Sequence, residues 1–184
     1  MIVVIDPGHG GKDPGAVNIR LRLKEADINL AVATKLKKEL LSIGAAVYLT
    51  RNSDVFVDLA ERCRESNALK ADLFISLHCN AAENPDAQGF EIFTSLGVTK
   101  ADSFGAVLVD CWHRAFPDQV LRCGALKEAN FAVLRGTEAP AVLLEMAFIS
   151  NTKEAALLAS EAWQARAAEA VAAAALKWRR DNEA

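Results

Sequence analysis

The sequence predicts an α/β fold: a single domain on an open, twisted, mostly parallel sheet of about six strands, with helices on both faces. Three observations carry that expectation. Short apolar runs of strand length alternate with segments whose apolar residues recur every three or four positions, the pattern of strand–helix–strand units. The 184 residues, 52% hydrophobic and 24% charged, suffice for one full core and are short for two. No internal repeat, low-complexity linker or shift in composition divides the chain.

Residues 1–6, which open with the apolar run MIVVI, read as a buried first strand. Ile28, Val32, Leu36, Leu40 and Ile43 then recur at helical spacing, with Lys35, Lys37, Lys38 and Glu39 on the other side. Gly44 follows where a helix C-terminus calls for a left-handed residue. AAVYLT (45–50) predicts a second strand, and 58–69 a second helix with Leu59, Cys63 and Ser66 on one side. DLFISLH (72–78) predicts a third strand. QGFEIFT (88–94) predicts a fourth, alternating Phe90, Ile92 and Thr94 against Glu91 and Phe93. Residues 101–115 suggest a helix, and FAVLR (131–135) and PAVLLEM (140–146) read as two more strands. The alanine-rich stretch 153–180 is strongly helix-forming. There Trp163, Ala167, Ala170, Val171, Ala174 and Trp178 form a stripe that reads as packing on the sheet, not as a membrane-active face.

A formal net charge of -3 argues against nucleic acid or an anionic surface as a bulk partner. No run approaches the ~20 apolar residues of a membrane span. Met1 leads directly into the first strand without a basic region or cleavage site, which predicts a chain made for the cytoplasm or a trimmed one. Cys63, Cys79, Cys111 and Cys123 form no C-x-x-C pair, so they read as reduced, buried hydrophobes.

The first strand runs into IDPGHGGKDPGA (5–16). This loop is no phosphate cradle: Asp6 and Asp13 break both the P-loop and the dinucleotide patterns and would repel phosphate. Its glycines permit tight bends that expose His9 at the sheet edge. His78 ends another strand; if it faces the site, Cys79 faces away and Asn80 returns to it. His113 lies on a helix and reads as a surface or packing residue. Glu25 precedes a helix, where the dipole alone favours an acid. Glu145 closes an apolar strand, where burial would lift its pKa toward that of a general base. Two histidines and two glutamates at one sheet edge match the inventory of an open zinc hydrolase site, three ligands plus a general base, without assigning the roles.

The motifs VIDPGHGGKDPGA, KEADINLAVATKLKKEL, LTRNSDVFVDLAERC, ADLFISLHCNA, NPDAQGFEIF and NFAVLRGTEAPAVLLEMAFISN occur in this order. Together they resemble the zinc-dependent N-acetylmuramoyl-L-alanine amidases of the Amidase_3 type, over nearly the whole chain. The resemblance implies one zinc ion per chain held by His9, Glu25 and His78, with Glu145 as the catalytic glutamate. It implies peptidoglycan as substrate, cut between N-acetylmuramic acid and L-Ala. Asn80 is expected to bond substrate or orient His78, and Asp6 to support the loop from behind the ligands. Some cell-division members carry a zinc-blocking helical insert after the strand matching QGFEIF; here TSLGVTKADSFGAVLVD runs straight into the next helix. The expectation is therefore a monomeric enzyme active without a release factor, its single catalytic domain (1–184) without a wall-binding module. It would be a phage or prophage endolysin released from the cytoplasm to the wall, or a trimmed domain of a periplasmic or extracellular autolysin. The alternatives are a zinc peptidase cutting within the stem peptide and a catalytically dead wall-binding protein.

Overall fold

The computed structural model describes residues 1–183, with the side chains of all but 123 and 183. The strands in chain order are β1 (Ile2–Pro7), β2 (Val17–Asn18), β3 (Leu23–Lys24), β4 (Ala46–Leu49), β5 (Leu73–Asn80), β6 (Phe90–Thr94), β7 (Leu121–Glu128) and β8 (Ala141–Phe148). The helices are α1 (Glu25–Ser42), α2 (Leu59–Ala68), α3 (Lys100–Ala115), α4 (Ala132–Gly136), α5 (Thr152–Leu158) and α6 (Glu161–Glu183). Six strands form one sheet in the order β4-β1-β5-β8-β6-β7, and β2 pairs with β3 in a separate hairpin. Every ladder of the large sheet is parallel except β6 against β8. The mostly parallel six-stranded sheet expected from the sequence is therefore present.

Alternation along the strands sorts the core into two layers. Val3, Ile5, Leu73, Ile75, Leu77, Val142, Leu144 and Met146 face α1, α3 and α6. Val4, Phe74, Ala141 and Leu143 face the other way, toward Cys63 of α2 and Val133 and Leu134 of α4. Local chemistry sets the helix ends. Asp58 caps α2 by accepting from the Ala60 N–H, Thr99 and Asp102 form a capping box on α3, and Asn151 caps α5. Gly44, at φ +79°, turns the chain after α1.

Several expectations change. FAVLR is not a strand: Phe131 is the extended residue before α4, and the sixth strand is β7. A run of four apolar residues suits either element, whereas β7 hides its period behind a bulge. Gly124 (φ +81°) and Ala125 (φ +65°) sit in that bulge, where the β6–β7 register shifts. The side chain of Cys123, in the same strand, lies outside the described residues; Cys63, Cys79 and Cys111 are free thiols. On α2, Leu59 is exposed, and the inward face is Arg62, Cys63 and Ser66.

The C-terminal stretch is two helices, α5 and α6. The α6 stripe is buried, but it meets α1 and α3 more than the sheet. Trp163 lies edge-on to Trp112 and Trp178 edge-on to Phe104. No described helix is long and apolar enough to cross a membrane. His113 is exposed on α3.

Candidate metal centre

The site forms where β1, β5 and β8 end, at the carboxyl edge of the parallel part of the sheet. Asp6 pairs with Ser76 across β1–β5, and His78 with Glu145 across β5–β8. His78 and Glu145 thus stand side by side on the α2–α4 face. Glu145 does not close its strand: β8 continues to Phe148, which leaves the carboxylate half-buried within the edge. Cys79 turns into the opposite core layer, as alternation requires.

His9 reaches the site from the glycine-rich loop after β1, itself in the left-handed conformation at φ +63°. Two buried guanidinium groups hold this loop by its carbonyls. Arg51 donates to Pro7 O (2.8 Å), Gly8 O (2.9 Å) and Ala26 O (2.7 Å). Arg62 donates to Pro7 O and His9 O, both at 2.9 Å, and to Asp6 Oδ1 at 2.7 Å. Asp6 also accepts from Thr50 Oγ1 at 2.6 Å and Ser76 Oγ at 2.7 Å. It is therefore tied to His9 through Arg62. Gly8 is required by packing: a Cβ there would lie 2.2 Å from His78 Cε1.

Glu25 is the first residue of α1, and its carboxylate is the hub of the site. Oε1 faces His78 Nδ1 at 2.9 Å and His9 Nε2 at 3.1 Å, and accepts from the Cys79 N–H at 3.0 Å. Oε2 accepts from the Ala16 N–H at 2.9 Å. Burial pushes its pKa up, but the hydrogen bonds to His78 and His9 pull it down by more, so it stays well below the usual carboxylate range. On His9, the bond to Glu25 outweighs burial and, with Asp13 beside Nδ1 at 2.8 Å, lifts the imidazole to about 9. His9, Glu25 and His78 each offer one ligand atom, and these atoms lie within 4.8 Å of one another. Two imidazoles and a carboxylate in this compass can hold a metal ion.

Glu145 completes the site. Its Oε2 is buried and has no hydrogen-bond partner among the described residues. Burial, offset in part by His78 and reinforced by Glu25 and Glu91, pushes its pKa up to about 7. The centre opens into a cleft of about 550 Å³ whose walls include Phe56, Leu59, Phe131 and Val133. A cavity of about 590 Å³ at the opposite end of the sheet includes none of the candidate residues.

Asn80 does not bond His78. Its Nδ2 donates to Glu91 Oε2 at 2.8 Å, and its Oδ1 accepts from the Ala81 N–H. Glu91, the β6 partner of Glu145, is held by Arg122 and Lys127 of β7. Sequence reasoning passed over Asp13, Arg51, Arg62 and Glu91. Only Asp13 carried a local signal, its i,i+4 spacing from His9; the others act across 11 to 56 residues.

Among solved structures, the catalytic domain of CwlV, an N-acetylmuramoyl-L-alanine amidase from Bacillus (Paenibacillus) polymyxa var. colistinus, superposes with a TM-score of 0.91 at 35% identity. That match covers 97% of this chain and 98% of that one. The endolysin of Bacillus phage SPP1 is 42% identical over 166 residues, 88% of this chain and 60% of the endolysin. The amidase AmiC of Neisseria meningitidis serogroup B is 32% identical over 212 residues, 93% of this chain and 51% of AmiC. The chain thus spans about half to three-fifths of the length of these two relatives. Residues 3–177 match the family described as N-acetylmuramoyl-L-alanine amidase, Amidase_3, and the chain belongs to that family.

Proposed function

We propose that this chain is a zinc-dependent N-acetylmuramoyl-L-alanine amidase, hydrolysing the amide between the lactyl group of N-acetylmuramic acid and L-Ala of the peptidoglycan stem peptide. The observation that carries the reading is the convergence of His9, Glu25 and His78 beside Glu145, whose buried Oε2 has no partner among the described residues. The donor set fits zinc: two imidazoles and one carboxylate, with a remaining side open to substrate. Zinc bound there would supply a Lewis acid for the amide carbonyl and lower the pKa of water.

The protein's own groups do the rest. Asp13 holds Nδ1 of His9, which turns Nε2 toward Glu25 and fixes the ring. Gly8 leaves room for the His78 ring. Glu145 accepts the proton of the attacking water and returns it to the leaving nitrogen. The C–N bond breaks, giving a lactyl carboxylate and a free L-Ala amine. A carboxyl with a pKa near 7 suits both halves of that transfer. Asp6 steadies the His9 backbone through Arg62.

One zinc per chain, working on the cell wall, follows from this reading. Its 42% identity with a phage endolysin favours a lysis enzyme over an autolysin domain. Metal analysis tests the core of the proposal. The purified chain is expected to hold about one zinc, to lose activity on walls with a chelator and to recover it with zinc. Full activity in metal-free protein would overturn the reading.

A further inference from the structure

The β2–β3 hairpin stands beside the candidate metal centre, and the chemistry above leaves it unused. Its base belongs to the site. The Ala16 N–H donates to Glu25 Oε2, and the Glu25 N–H donates to Ala16 O, both at 2.9 Å. Val17 pairs with Lys24 and Asn18 with Leu23, leaving residues 19–22 as the tip. Asn18 fixes that tip from both ends of its amide. Nδ2 donates to Ile149 O at 2.9 Å, and Oδ1 accepts from the Leu21 N–H at 3.0 Å. Arg22 is left-handed, at φ +54°, and its N–H closes the turn onto Ile19 O.

This braced turn carries Arg20, Arg22 and Lys24, all exposed. None of the three makes a side-chain hydrogen bond or ion pair with a described residue. Three uncompensated cations within five residues contrast with a chain whose net charge is -3. Ala16 and Leu23 pack on the α1 side of the sheet, whereas the cleft of Phe56, Leu59 and Phe131 opens on the α2–α4 side. His9, Glu25 and His78 lie between a cationic arm and an apolar-walled cleft.

The two sides of the amide named above differ in the same way. The sugar side is uncharged, and the peptide side carries free carboxylates. We propose that the β2–β3 hairpin holds the peptide side of the substrate, with Arg20, Arg22 and Lys24 binding the free carboxylates of the stem peptide. The guanidinium fork matches a carboxylate, and a turn braced by Asn18 loses little freedom on binding. The inference rests on the amidase reading.

Two soluble muropeptides test it, alike except that the stem-peptide carboxylates are free in one and amidated in the other. The wild type is expected to show a KM about tenfold lower for the free acid, the size that three exposed ion pairs supply together, and the advantage shrinks as salt is added. Arg20→Gln/Arg22→Gln/Lys24→Gln erases the preference. Calorimetry with the unlinked stem peptide reads the same preference without turnover. No preference in the wild type, or one that survives in the triple variant, overturns the proposal. So does hairpin-dependent binding to anionic lipid vesicles without discrimination between the peptides. Cleavage of neither muropeptide by zinc-loaded wild type would instead sink the amidase reading, while the calorimetry still decides the hairpin.

Discussion

At the scale of single residues, the site depends on Glu145 and on the space around His78. Glu145→Gln keeps the shape of the side chain and removes its basicity. It is expected to lower activity by about 10²–10⁴ with zinc content unchanged, checked by wall digestion alongside metal analysis. Loss of zinc together with activity would instead make Glu145 a ligand. The pH dependence follows from its raised pKa, about 7. A base must be ionised to accept a proton, so kcat/KM is expected to fall as pH drops through the neutral region. An ordinary carboxylate would not titrate until near 4.5. Gly8→Ala brings a Cβ to 2.2 Å from the His78 ring and is expected to weaken zinc binding by about 10–100-fold in a competition titration. His9, His78 and Glu145 were legible in the sequence because they sit beside glycines, at a strand end or in an apolar run; Glu25 showed only the preference of an acid for a helix start, and its ligand role came from the family resemblance. Arg51, Arg62 and Glu91 were not, because their partners come from other elements or from backbone carbonyls that no side-chain pattern marks; Asp13 had only its i,i+4 spacing from His9 to mark it.

At the scale of elements, the β6–β7 edge and α6 make separable predictions. Burial raises the pKa of Glu91, but hydrogen bonds from Lys127 and Arg122 lower it by more, leaving it below 4.5. A lowered folded pKa means stability that is fully present above the unfolded value and lost as pH falls through the folded one. Glu91→Gln is therefore expected to be less stable than wild type at neutral pH, and the gap is expected to close on the acid side of 4.5, measured by denaturant midpoints. Trp163 is buried against Trp112 and Phe116, and Trp163→Ala is expected to cost about 3–5 kcal/mol in the same assay. The long strands β1, β5 and β8 could be read because both of their faces are buried. β7 could not, because its bulge breaks the alternation, and FAVLR misled because four apolar residues in a row suit a helical turn as well as a strand.

At the scale of the whole molecule, one sheet edge gathers ligands, base, cleft and hairpin, and only residues 95–99 join β6 to α3. That five-residue link has no room for a helical plug over the centre. The chain is therefore expected to digest isolated cell walls without a partner protein; a requirement for an added factor would contradict this. The central claim is that His9, Glu25 and His78 hold zinc beside Glu145 to cut the sugar–peptide amide. Its most direct test is mass spectrometry of purified peptidoglycan digested with wild type and with Glu145→Ala, each with and without chelator. The account predicts stem peptides bearing a free L-Ala amine and glycan strands stripped of peptide, from metal-replete wild type alone. Cuts between amino acids of the stem, or the same products from Glu145→Ala or in the presence of chelator, would contradict it.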